Sequence, residues 1–337
     1  MNRKKTIIIA EAGVNHNGKL SNAIKLIDVA SKAGADFIKF QTFVTENLVT
    51  KKTPKAMYQI QNTKNKETQF EMLKKLELKR EHYKILINHC KTKHIKFLST
   101  GFSIEDLNFL ITKCKIEAIK IPSGEITNYP YLKFIGKLNK KIFMSTGMAN
   151  IKEIIFAYRT LIRYGTKKNK IFVMHCVTEY PANKSSLNLR SIEFLKDKLG
   201  TTQVGYSDHS TSIIAPAIAV SLGAKIIEKH FTLDKNMTGP DHKASLSPNE
   251  LKLMVDNIKD TEIMLGNNIK TISKKELDIA KVARKSIVAK INILKGEKFS
   301  ENNLTTKRPG TGISPTLWLK IIGKKAKKNF KYDELIK

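Results

Sequence analysis

The sequence of 337 residues predicts an α/β protein, a (β/α)8 TIM barrel followed by a small, mostly β domain. Eight short apolar runs, rich in β-branched residues, alternate with stretches of helical periodicity, as parallel strands joined by right-handed crossovers do. The runs are nearly continuous in apolar residues, which is typical of strands covered on both faces. Eight is the number of such units that closes a barrel.

The predicted strands follow the chain in order, and each ends in polar residues. They are residues 6–12, 37–42, 96–102, 118–125, 141–147, 171–178, 203–209 and 225–232. The segments between them carry apolar residues at helical spacing, as in Leu20, Ile24, Ile27 and Ala30 or in Ile151, Ile154, Ile155 and Tyr158. Residues 73–93 are predicted as an amphipathic helix, and residues 251–265 as the helix that closes the barrel.

The connection between the second and third strands is unusually long. It spans residues 43–79 and includes Thr53-Pro54 and a polar tract at residues 59–69. Long structured loops on a barrel rim are usually functional. A flexible insertion is the alternative, and the sequence leaves both interpretations open.

A second domain follows the barrel. Gly266-Asn267-Asn268 predicts a linker, which divides the chain into a barrel at residues 1–266, a linker at 267–280 and a small domain at 281–337. In the last segment, residues 286–289 are a short β-rich run, and Arg308-Pro309-Gly310-Thr311-Gly312 predicts a rigid loop.

The formal net charge of +31 suggests nucleic acid as a possible partner. However, only seven of the 61 basic residues are arginine, the residue that base and phosphate recognition favours. The lysines are spread along the whole chain, and no nucleic-acid-binding motif is present. We therefore expect no nucleic-acid partner, whereas the positive charge favours the approach of small anions.

Cysteine content and hydropathy indicate the compartment. The three cysteines, at positions 90, 114 and 176, lack metal-binding spacing and cannot form an even set of disulfides. No apolar stretch is long enough to span a bilayer, and the apolar run near the start is too short for a signal peptide. We expect a cytoplasmic protein with no membrane partner.

Polar side chains stand at the downstream ends of all eight predicted strands. Because the active site of a (β/α)8 barrel lies at the C-terminal ends of its strands, these side chains should face one mouth. They are Glu11, Lys39, Gln41, Thr100, Lys120, Ser123, Glu125, Ser145, His175, Asp208, His209, Glu228 and His230.

His209 and His230 end the seventh and eighth strands, which are neighbours in a barrel. Two imidazoles there can hold one divalent ion and leave coordination positions open for substrate oxygens. Asp208 and Glu228 could orient the imidazoles or bind the ion directly. Oxygen-rich ligation suits Mn²⁺ or Mg²⁺ better than structural Zn²⁺. The alternative is that each histidine is a hydrogen-bonded residue at a strand end.

Lys39 and Lys120 lie within the second and fourth predicted strands, where a lysine is costly unless it meets an anion. Together with nearby hydroxyl groups they suggest a site for a small phosphorylated carboxylate. Internal salt bridges to Glu11 and Glu125 are an alternative, and both can hold at once. The same two carboxylates are the candidates for proton transfer or for activation of water.

Several motifs resemble those of the sialic acid synthase family, over essentially the whole chain. They are Ile9-Ala10-Glu11-Ala12-Gly13 with Asn15-His16, Lys39-Phe40-Gln41-Thr42, Lys120-Ile121-Pro122-Ser123-Gly124-Glu125, Ser145-Thr146-Gly147-Met148, Ser207-Asp208-His209, Glu228-Lys229-His230-Phe231-Thr232 and Gly239-Pro240-Asp241-His242. Past the linker, Ala283-Arg284-Lys285-Ser286 and Lys307-Arg308-Pro309-Gly310 resemble the antifreeze-like (SAF) domain of that family.

The resemblance implies condensation of phosphoenolpyruvate with an open-chain N-acetylmannosamine-type sugar and water, giving a nine-carbon 2-keto acid and, by C–O cleavage, phosphate. It implies a divalent ion on His209 and His230, Mn²⁺ first, with Mg²⁺ or Co²⁺ as alternatives. The residues it assigns to phosphoenolpyruvate are Lys39, Thr100, Lys120, Ser123 and Ser207, with Glu228 beside them. Those it assigns to the sugar are Gln41, Asn62, Tyr180 and Asp241.

The resemblance further implies a homodimer in which Arg308 of the SAF domain reaches the barrel of the partner and contacts the acetamido group of the sugar. The alternative is a surface arginine that caps its own loop. N-acetylneuraminate is the leading expectation for the product. A sister synthase that uses a 2,4-diacetamido-trideoxy hexose to make legionaminate or pseudaminate is the alternative. A basic nucleic-acid-binding protein and a non-catalytic sugar-binding scaffold are the other classes considered.

Overall fold

The computed structural model describes residues 5–63 and 66–337. The chain divides into two compact units, Met1–Gly266 and Asn267–Lys337. The first contains eight parallel strands, and the second contains two short antiparallel strands.

The strands of the first unit form a nearly closed barrel. They are β1 (Ile7–Gly13), β2 (Phe37–Thr42), β3 (Lys96–Gly101), β4 (Ala118–Ile121), β5 (Lys141–Ser145), β6 (Ile171–Cys176), β7 (Val204–Asp208) and β8 (Ile226–His230). Their order is β3-β2-β1-β8-β7-β6-β5-β4, and all neighbours pair in parallel. The two ends of this series, β3 and β4, pack side by side. The predicted fold class is confirmed.

Helices cover the outside of the barrel and, in the connection after β2, part of its mouth. They are α1 (Leu20–Ala33), α2 (Thr45–Leu48), α3 (Met57–Thr63), α4 (Gln69–Leu76), α5 (His82–Thr92), α6 (Ile104–Thr112), α7 (Tyr129–Lys137), α8 (Ile151–Arg163), α9 (Ser191–Leu199), α10 (Ala215–Ser221) and α11 (Pro248–Leu265). Capping boxes begin several of them, for example Thr68 with Glu71 at α4 and Ser247 with Glu250 at α11.

Three elements differ from the sequence prediction. Strand β4 ends at Ile121, because Pro122 has no N–H to continue a ladder and residues 123–125 form a 3₁₀ turn. The helix predicted at residues 73–93 is two helices, α4 and α5, separated where Leu78 turns into the core. The segment predicted as a linker contains most of a further helix, α12 (Lys274–Ala283).

Inside the barrel, an apolar layer lies directly below the residues at the mouth. It consists of Ile9, Phe37, Leu98, Ala118, Phe143, Met174 and Ile226, one from each strand except β7. The rings of Phe37 and Phe143 meet edge to face across the barrel, 6.2 Å apart. Because side chains alternate along a strand, the residue two positions further faces the same interior. This places Glu11, Lys39, Thr100, Lys120, Ser145, Cys176 and Glu228 in one layer above the apolar one.

Strand β7 contributes Gly205 to the apolar layer, and the position has no room for a side chain. A Cβ atom there would lie 2.8 Å from the backbone oxygen of Ile226 and 3.1 Å from Cγ of Met174. We expect Gly205→Ala to lower the free energy of unfolding by about 1–3 kcal/mol, because neighbouring strands must move apart. Chemical denaturation measures the change.

Gly124→Ala is the matched control, since its added Cβ meets no described atom within 4 Å. Equal losses of stability in the two variants would contradict the steric explanation.

The second unit pairs β9 (Ser286–Ala289) with β10 (Leu304–Lys307) in an antiparallel ladder. A short helix, α13 (Trp318–Ile321), follows β10. The core of this unit is a separate small cluster built from Ile287, Ala289, Ile293, Phe299, Leu304, Ala326, Phe330 and Ile336.

Within the described part of the chain, no helix combines the length and the apolar character needed to cross a bilayer.

Candidate functional site

A buried network of charges occupies the barrel mouth. Lys39 Nζ lies 2.9 Å from Glu11 Oε2 and 3.7 Å from Glu228 Oε2, and Lys120 Nζ lies 3.1 Å from Glu228 Oε1. All four side chains are at most 5% exposed. Lys39 also donates a hydrogen bond to Thr100 Oγ1 at 3.2 Å, and Lys120 donates one to Ser145 Oγ.

Burial and mutual attraction shift the pKa values of these groups in different directions. Burial raises the pKa of Glu228, but Lys120 and Lys39 outweigh it and bring that pKa down to about 2. Burial raises the pKa of Glu11 to about 7, only partly opposed by Lys39. For Lys39, the two carboxylates overcome burial and raise the pKa, whereas for Lys120 burial prevails and lowers it. Glu228 is therefore a fixed anion, and Glu11 can exchange a proton near neutral pH.

Glu125 is not part of this network, so the alternative of internal salt bridges holds for Glu11 but is wrong for Glu125. It lies in the 3₁₀ turn after β4, where Asn128 Nδ2 donates a hydrogen bond to its Oε2 at 2.6 Å. Glu228 pairs with Lys120 instead, because β8 carries its carboxylate into the same layer as the lysines. Ser123, from the same turn, accepts a hydrogen bond from the backbone N–H of Gly147 at 2.9 Å.

The two histidines are adjacent, with ring centroids 5.4 Å apart. His209 Nδ1 donates a hydrogen bond to the backbone oxygen of Val177 at 2.6 Å, and its Nε2 lies 2.9 Å from the hydroxyl oxygen of Tyr180. Burial holds the pKa of His230 well below its ordinary value, so this ring is neutral. Its buried Nδ1 has no hydrogen-bond partner among the described residues.

These observations fit a divalent ion held by the two histidines. Metal ligation requires neutral imidazole nitrogens, and the neutral His230 offers a buried Nδ1 that is unpaired within the described part of the chain. Burial acts to lower the pKa of His209, but Cys176 outweighs it and raises that pKa. The Nε2 of His209 contacts the hydroxyl of Tyr180, so an ion bound there must displace a proton from that ring. Rings this close can share an ion bound about 2.1 Å from a nitrogen of each. Within residues 5–63 and 66–337, no group of three or more His, Cys, Asp or Glu side chains is placed to surround an ion.

The described hydrogen bonds of Asp208 and Glu228 do not include the imidazoles, so the interpretation that these carboxylates orient the rings by direct contact is wrong. Asp208 forms an ion pair with Lys229 at 2.6 Å on the opposite face of β7. Glu228 pairs with the site lysines and accepts a hydrogen bond from the hydroxyl of Ser207 at 3.0 Å. The Val177 carbonyl orients His209 instead.

Aromatic rings from two loops cover His209. Tyr180 stacks on His209 with centroids 4.0 Å apart, and Tyr58 of α3 stacks on Tyr180 at 4.9 Å. Asn62, also on α3, donates a hydrogen bond to the backbone oxygen of Pro240 at 2.6 Å. The next residue, Asp241, is buried, and burial raises its pKa to about 6. The long connection after β2 therefore folds into helices that contact the mouth, as the functional interpretation of this loop requires.

The mouth encloses a cavity of about 160 Å³. It is lined by Glu11, Lys39, Gln41, Thr100, Lys120, Ser123, Tyr180, Ser207, His209, Glu228 and His230 among the predicted site residues, and also by Phe102, Ser145, Cys176 and Thr178. Asn62, Glu125 and Asp241 do not line it, and Arg308 is exposed in the second unit. A larger cavity of about 620 Å³ lies between α5 and α6 outside the barrel, and no predicted site residue lines it.

Cys176 and Tyr58 are among the residues near the site that were not predicted. Cys176 lies two positions after Met174, with its Sγ 3.7 Å from His209 Nδ1, and strand periodicity could have identified it. Tyr58 lies in the long connection, where no local pattern distinguishes one aromatic residue from another. His16, from the motif at the end of β1, stabilises the turn in which it lies, since its Nδ1 accepts a hydrogen bond from the N–H of Gly18 at 3.0 Å.

Comparisons with known proteins place this architecture in a family. Residues 26–270 match the model of the NeuB family, and residues 284–337 match the SAF domain. The chain is 53% identical to an N,N'-diacetyllegionaminic acid synthase of Campylobacter jejuni, with 99% of each chain covered. It is 42% identical to an enzyme of the same name from Legionella pneumophila, with 96% of this chain and 90% of the relative covered.

A solved structure resembles the whole chain. The crystal structure of the Bacillus subtilis spore coat polysaccharide biosynthesis protein SpsE is 37% identical in sequence, with a TM-score of 0.66 over 99% of this chain and 94% of the other. The family model covers most of the barrel unit, and the SAF match covers most of the second unit. The chain therefore belongs to the NeuB family and carries a C-terminal SAF domain.

Proposed function

We propose that this protein condenses phosphoenolpyruvate with an open-chain 2,4-diacetamido-trideoxy hexose and water, giving a legionaminate-type nine-carbon 2-keto acid and phosphate. The observation that carries the proposal is the 53% identity, over 99% of both chains, to an N,N'-diacetyllegionaminic acid synthase. This relationship favours the diacetamido sugar over N-acetylmannosamine, the leading expectation from sequence. It also favours legionaminate over pseudaminate as the product.

The buried lysines suit the binding of phosphoenolpyruvate. The ligand carries a phosphate and a carboxylate, and Lys39 and Lys120 place two ammonium groups in a water-poor cavity where such attraction is strong. Thr100, Ser145 and Ser207 supply hydroxyl donors at the same level of the barrel. The Glu228 carboxylate lies near both ammonium groups and offsets part of their charge.

The carbon–carbon bond forms when C3 of phosphoenolpyruvate attacks the aldehyde carbon of the sugar. Positive charge then develops at C2, where the Glu228 carboxylate stabilises it electrostatically. Water adds at C2, and one of its protons passes through a base to the alkoxide that the aldehyde has become. The other leaves with phosphate as the C–O bond breaks and the C2 keto group forms. Glu11 is the base that the geometry favours over Glu125, because Glu11 lines the cavity and has a pKa of about 7.

We further propose that His209 and His230 hold a divalent ion, Mn²⁺ first, with Mg²⁺ or Co²⁺ as alternatives. Such an ion supplies a Lewis acid that polarises the aldehyde oxygen. Gln41 and Tyr180 line the cavity on the side of these histidines, and Asn62 and Asp241 lie in the surrounding loops. We assign these four residues to the sugar.

The test is release of phosphate from phosphoenolpyruvate in the presence of Mn²⁺ and a panel of N-acetylated mannose derivatives, with a chelated control. We expect turnover with the 2,4-diacetamido sugar, weaker turnover with N-acetylmannosamine and none after chelation. Release with N-acetylmannosamine alone would return the assignment to N-acetylneuraminate. Absence of release with every sugar would exclude the synthase function.

Arg308 gives a separate prediction about assembly. We propose a homodimer in which this exposed arginine, which follows β10, contacts the acetamido group of a sugar bound in the partner barrel. Arg308→Ala is then expected to raise KM for the sugar by about 10-fold or more, the value of a lost charge-assisted hydrogen bond. The KM for phosphoenolpyruvate should stay unchanged, as steady-state kinetics will show.

Lys320→Ala, an exposed cation on α13 of the same unit, is the matched control. An equal rise in both KM values for Arg308→Ala would contradict the assigned role.

A further inference from the structure

We infer that Asp208 and Lys229 are positioning residues, whose buried ion pair fixes His209 and His230 relative to each other. The inference rests on the proposed function, because it concerns the imidazoles that the proposal assigns to the divalent ion. Neither residue lines the cavity at the mouth. Their effect on the reaction is therefore indirect and passes through the backbone of the two strands.

The ion pair links the two strands directly before the histidines. Asp208 on β7 and Lys229 on β8 are Cα partners in the parallel ladder. Lys229 Nζ lies 2.6 Å from Asp208 Oδ2, and both side chains are 0% exposed. Each residue immediately precedes one histidine, so the bond fixes the register of β7 and β8 at the point where the two imidazoles leave the strands.

The pair also fixes the residue after His209. Lys229 Nζ donates a hydrogen bond to the backbone oxygen of Ser210, and Asp208 Oδ1 accepts one from the backbone N–H of Ser210 at 2.8 Å. A third contact holds the carboxylate itself, because the hydroxyl of Tyr206 donates to Asp208 Oδ1 at 3.0 Å. His209 thus lies between Asp208, which is a member of the ion pair, and Ser210, whose backbone is hydrogen-bonded to both members of the pair.

The pair lies on the outer face of the barrel wall. Ser207 and Glu228 line the mouth cavity, as do His209 and His230. Alternation along a strand therefore directs Asp208 and Lys229 to the opposite face, between the barrel and its helices. The ion pair has no substrate to bind there, and the fully buried position excludes a role in solubility.

Stability alone is a poor explanation for a fully buried ion pair. Desolvation of two charges costs several kcal/mol per ion, by order of magnitude, and well-packed apolar residues often serve as well or better. Apolar residues cannot supply directed bonds to the N–H and the carbonyl of one residue. What the ion pair adds is a fixed backbone geometry around His209, which two converging imidazoles require for a shared ion.

The mouth cavity contains two sites, the lysines that would bind phosphoenolpyruvate and the histidines that would bind the ion and the sugar aldehyde. Lys39 and Lys120 lie on β2 and β4, and their ion pairs are with Glu11 and Glu228 rather than with Asp208. A shift of His209 relative to His230 weakens the binding of the ion and of the aldehyde that it polarises. The binding of phosphoenolpyruvate at the lysines is left unchanged.

The test uses the double variant Asp208→Asn/Lys229→Met in the full-length protein. It removes both charges together, so no uncompensated charge stays buried, and the asparagine retains an acceptor for Ser210 and Tyr206. We expect the Mn²⁺ affinity, measured by calorimetric titration without substrate, to fall about 10–100-fold, the usual effect of losing a group that orients a metal ligand. The KM for the sugar should rise, and the KM for phosphoenolpyruvate should not change.

The matched control is Lys252→Met/Asp256→Asn, the same chemical change at an exposed ion pair on α11. Its Mn²⁺ affinity should equal that of the wild type. If the double variant at Asp208 and Lys229 folds and binds Mn²⁺ like the wild type, the positioning role is wrong.

Tyr206→Phe decides the question if the double variant does not fold. This milder variant removes the hydroxyl that holds the Asp208 carboxylate and is expected to weaken Mn²⁺ binding in the same direction by a smaller factor. Unchanged affinity would overturn the inference. Failure of the proposed function shows differently, as absence of phosphate release by the wild type with every sugar.

Discussion

Lys120→Met is expected to lower kcat/KM for phosphoenolpyruvate by about 10²–10³-fold, the effect of removing one preorganised electrostatic donor from a water-poor site. Lys120 is 3% exposed and lies 3.1 Å from Glu228, so methionine removes a buried positive charge without changing the length of the side chain greatly. The remaining Lys39 then faces both Glu228 and Glu11. An incoming phosphate meets a site with more negative than positive charge.

Steady-state kinetics of phosphate release measure the loss, with the thermal unfolding temperature recorded for the same sample. The fold should persist, because Lys39 stays within 3.7 Å of Glu228. Lys141→Met is the matched control, an exposed lysine at the opposite end of a neighbouring strand. If Lys120→Met retains wild-type kcat/KM for phosphoenolpyruvate, the lysine pair is structural and the anion site lies elsewhere.

The barrel was predictable because its strands carry a regular physical pattern. Every strand except β7 places an apolar side chain two positions before a mouth residue, as Ile9 precedes Glu11 and Phe37 precedes Lys39. This period of two is local, so it can be read from the sequence without knowledge of strand pairing. The same regularity brought most of the predicted site residues to one cavity.

The pairing of charges within the site was not predictable from local pattern. Salt bridges of the two lysines to Glu11 and Glu125 were one interpretation of the sequence, whereas the structure pairs Lys120 with Glu228 on a distant strand. Pro122 ends β4 and turns Glu125 away from the interior, a consequence that depends on where the ladder stops. Asp208 likewise pairs with Lys229 rather than with a histidine, because alternation places it on the outer face.

The aromatic cover of the site was also beyond local pattern. Tyr58 reaches Tyr180 only because α3 folds back over the mouth, where Asn62 donates to the Pro240 backbone. The length of the connection predicted that it matters for the site. Which of its residues contacts the site is decided by tertiary packing.

Lys229→Met alone is expected to lower the free energy of unfolding by about 3–5 kcal/mol, because it leaves the Asp208 carboxylate buried without its cation. Asp208 and Lys229 are both 0% exposed, so solvent cannot replace the lost partner. Urea denaturation measures the effect as a lower midpoint at constant slope. Lys252→Met, at an exposed pair, is the control. A change no larger than that of the control would mean that the site relaxes enough to admit water.

Comparison of Lys229→Met with the double variant separates the attraction within the ion pair from the cost of burying an unpaired carboxylate. The loss in Lys229→Met contains both the attraction of the pair and the cost of an orphaned carboxylate, whereas Asp208→Asn/Lys229→Met leaves no orphaned charge. If the double variant recovers most of the stability, the coupling energy between the two positions is large while the net contribution of the pair to folding is small. Stability then cannot explain why the fold buries these two charges. If the double variant is stable but binds Mn²⁺ more weakly than the wild type, the role of the two charges is to fix the geometry of His209 and His230.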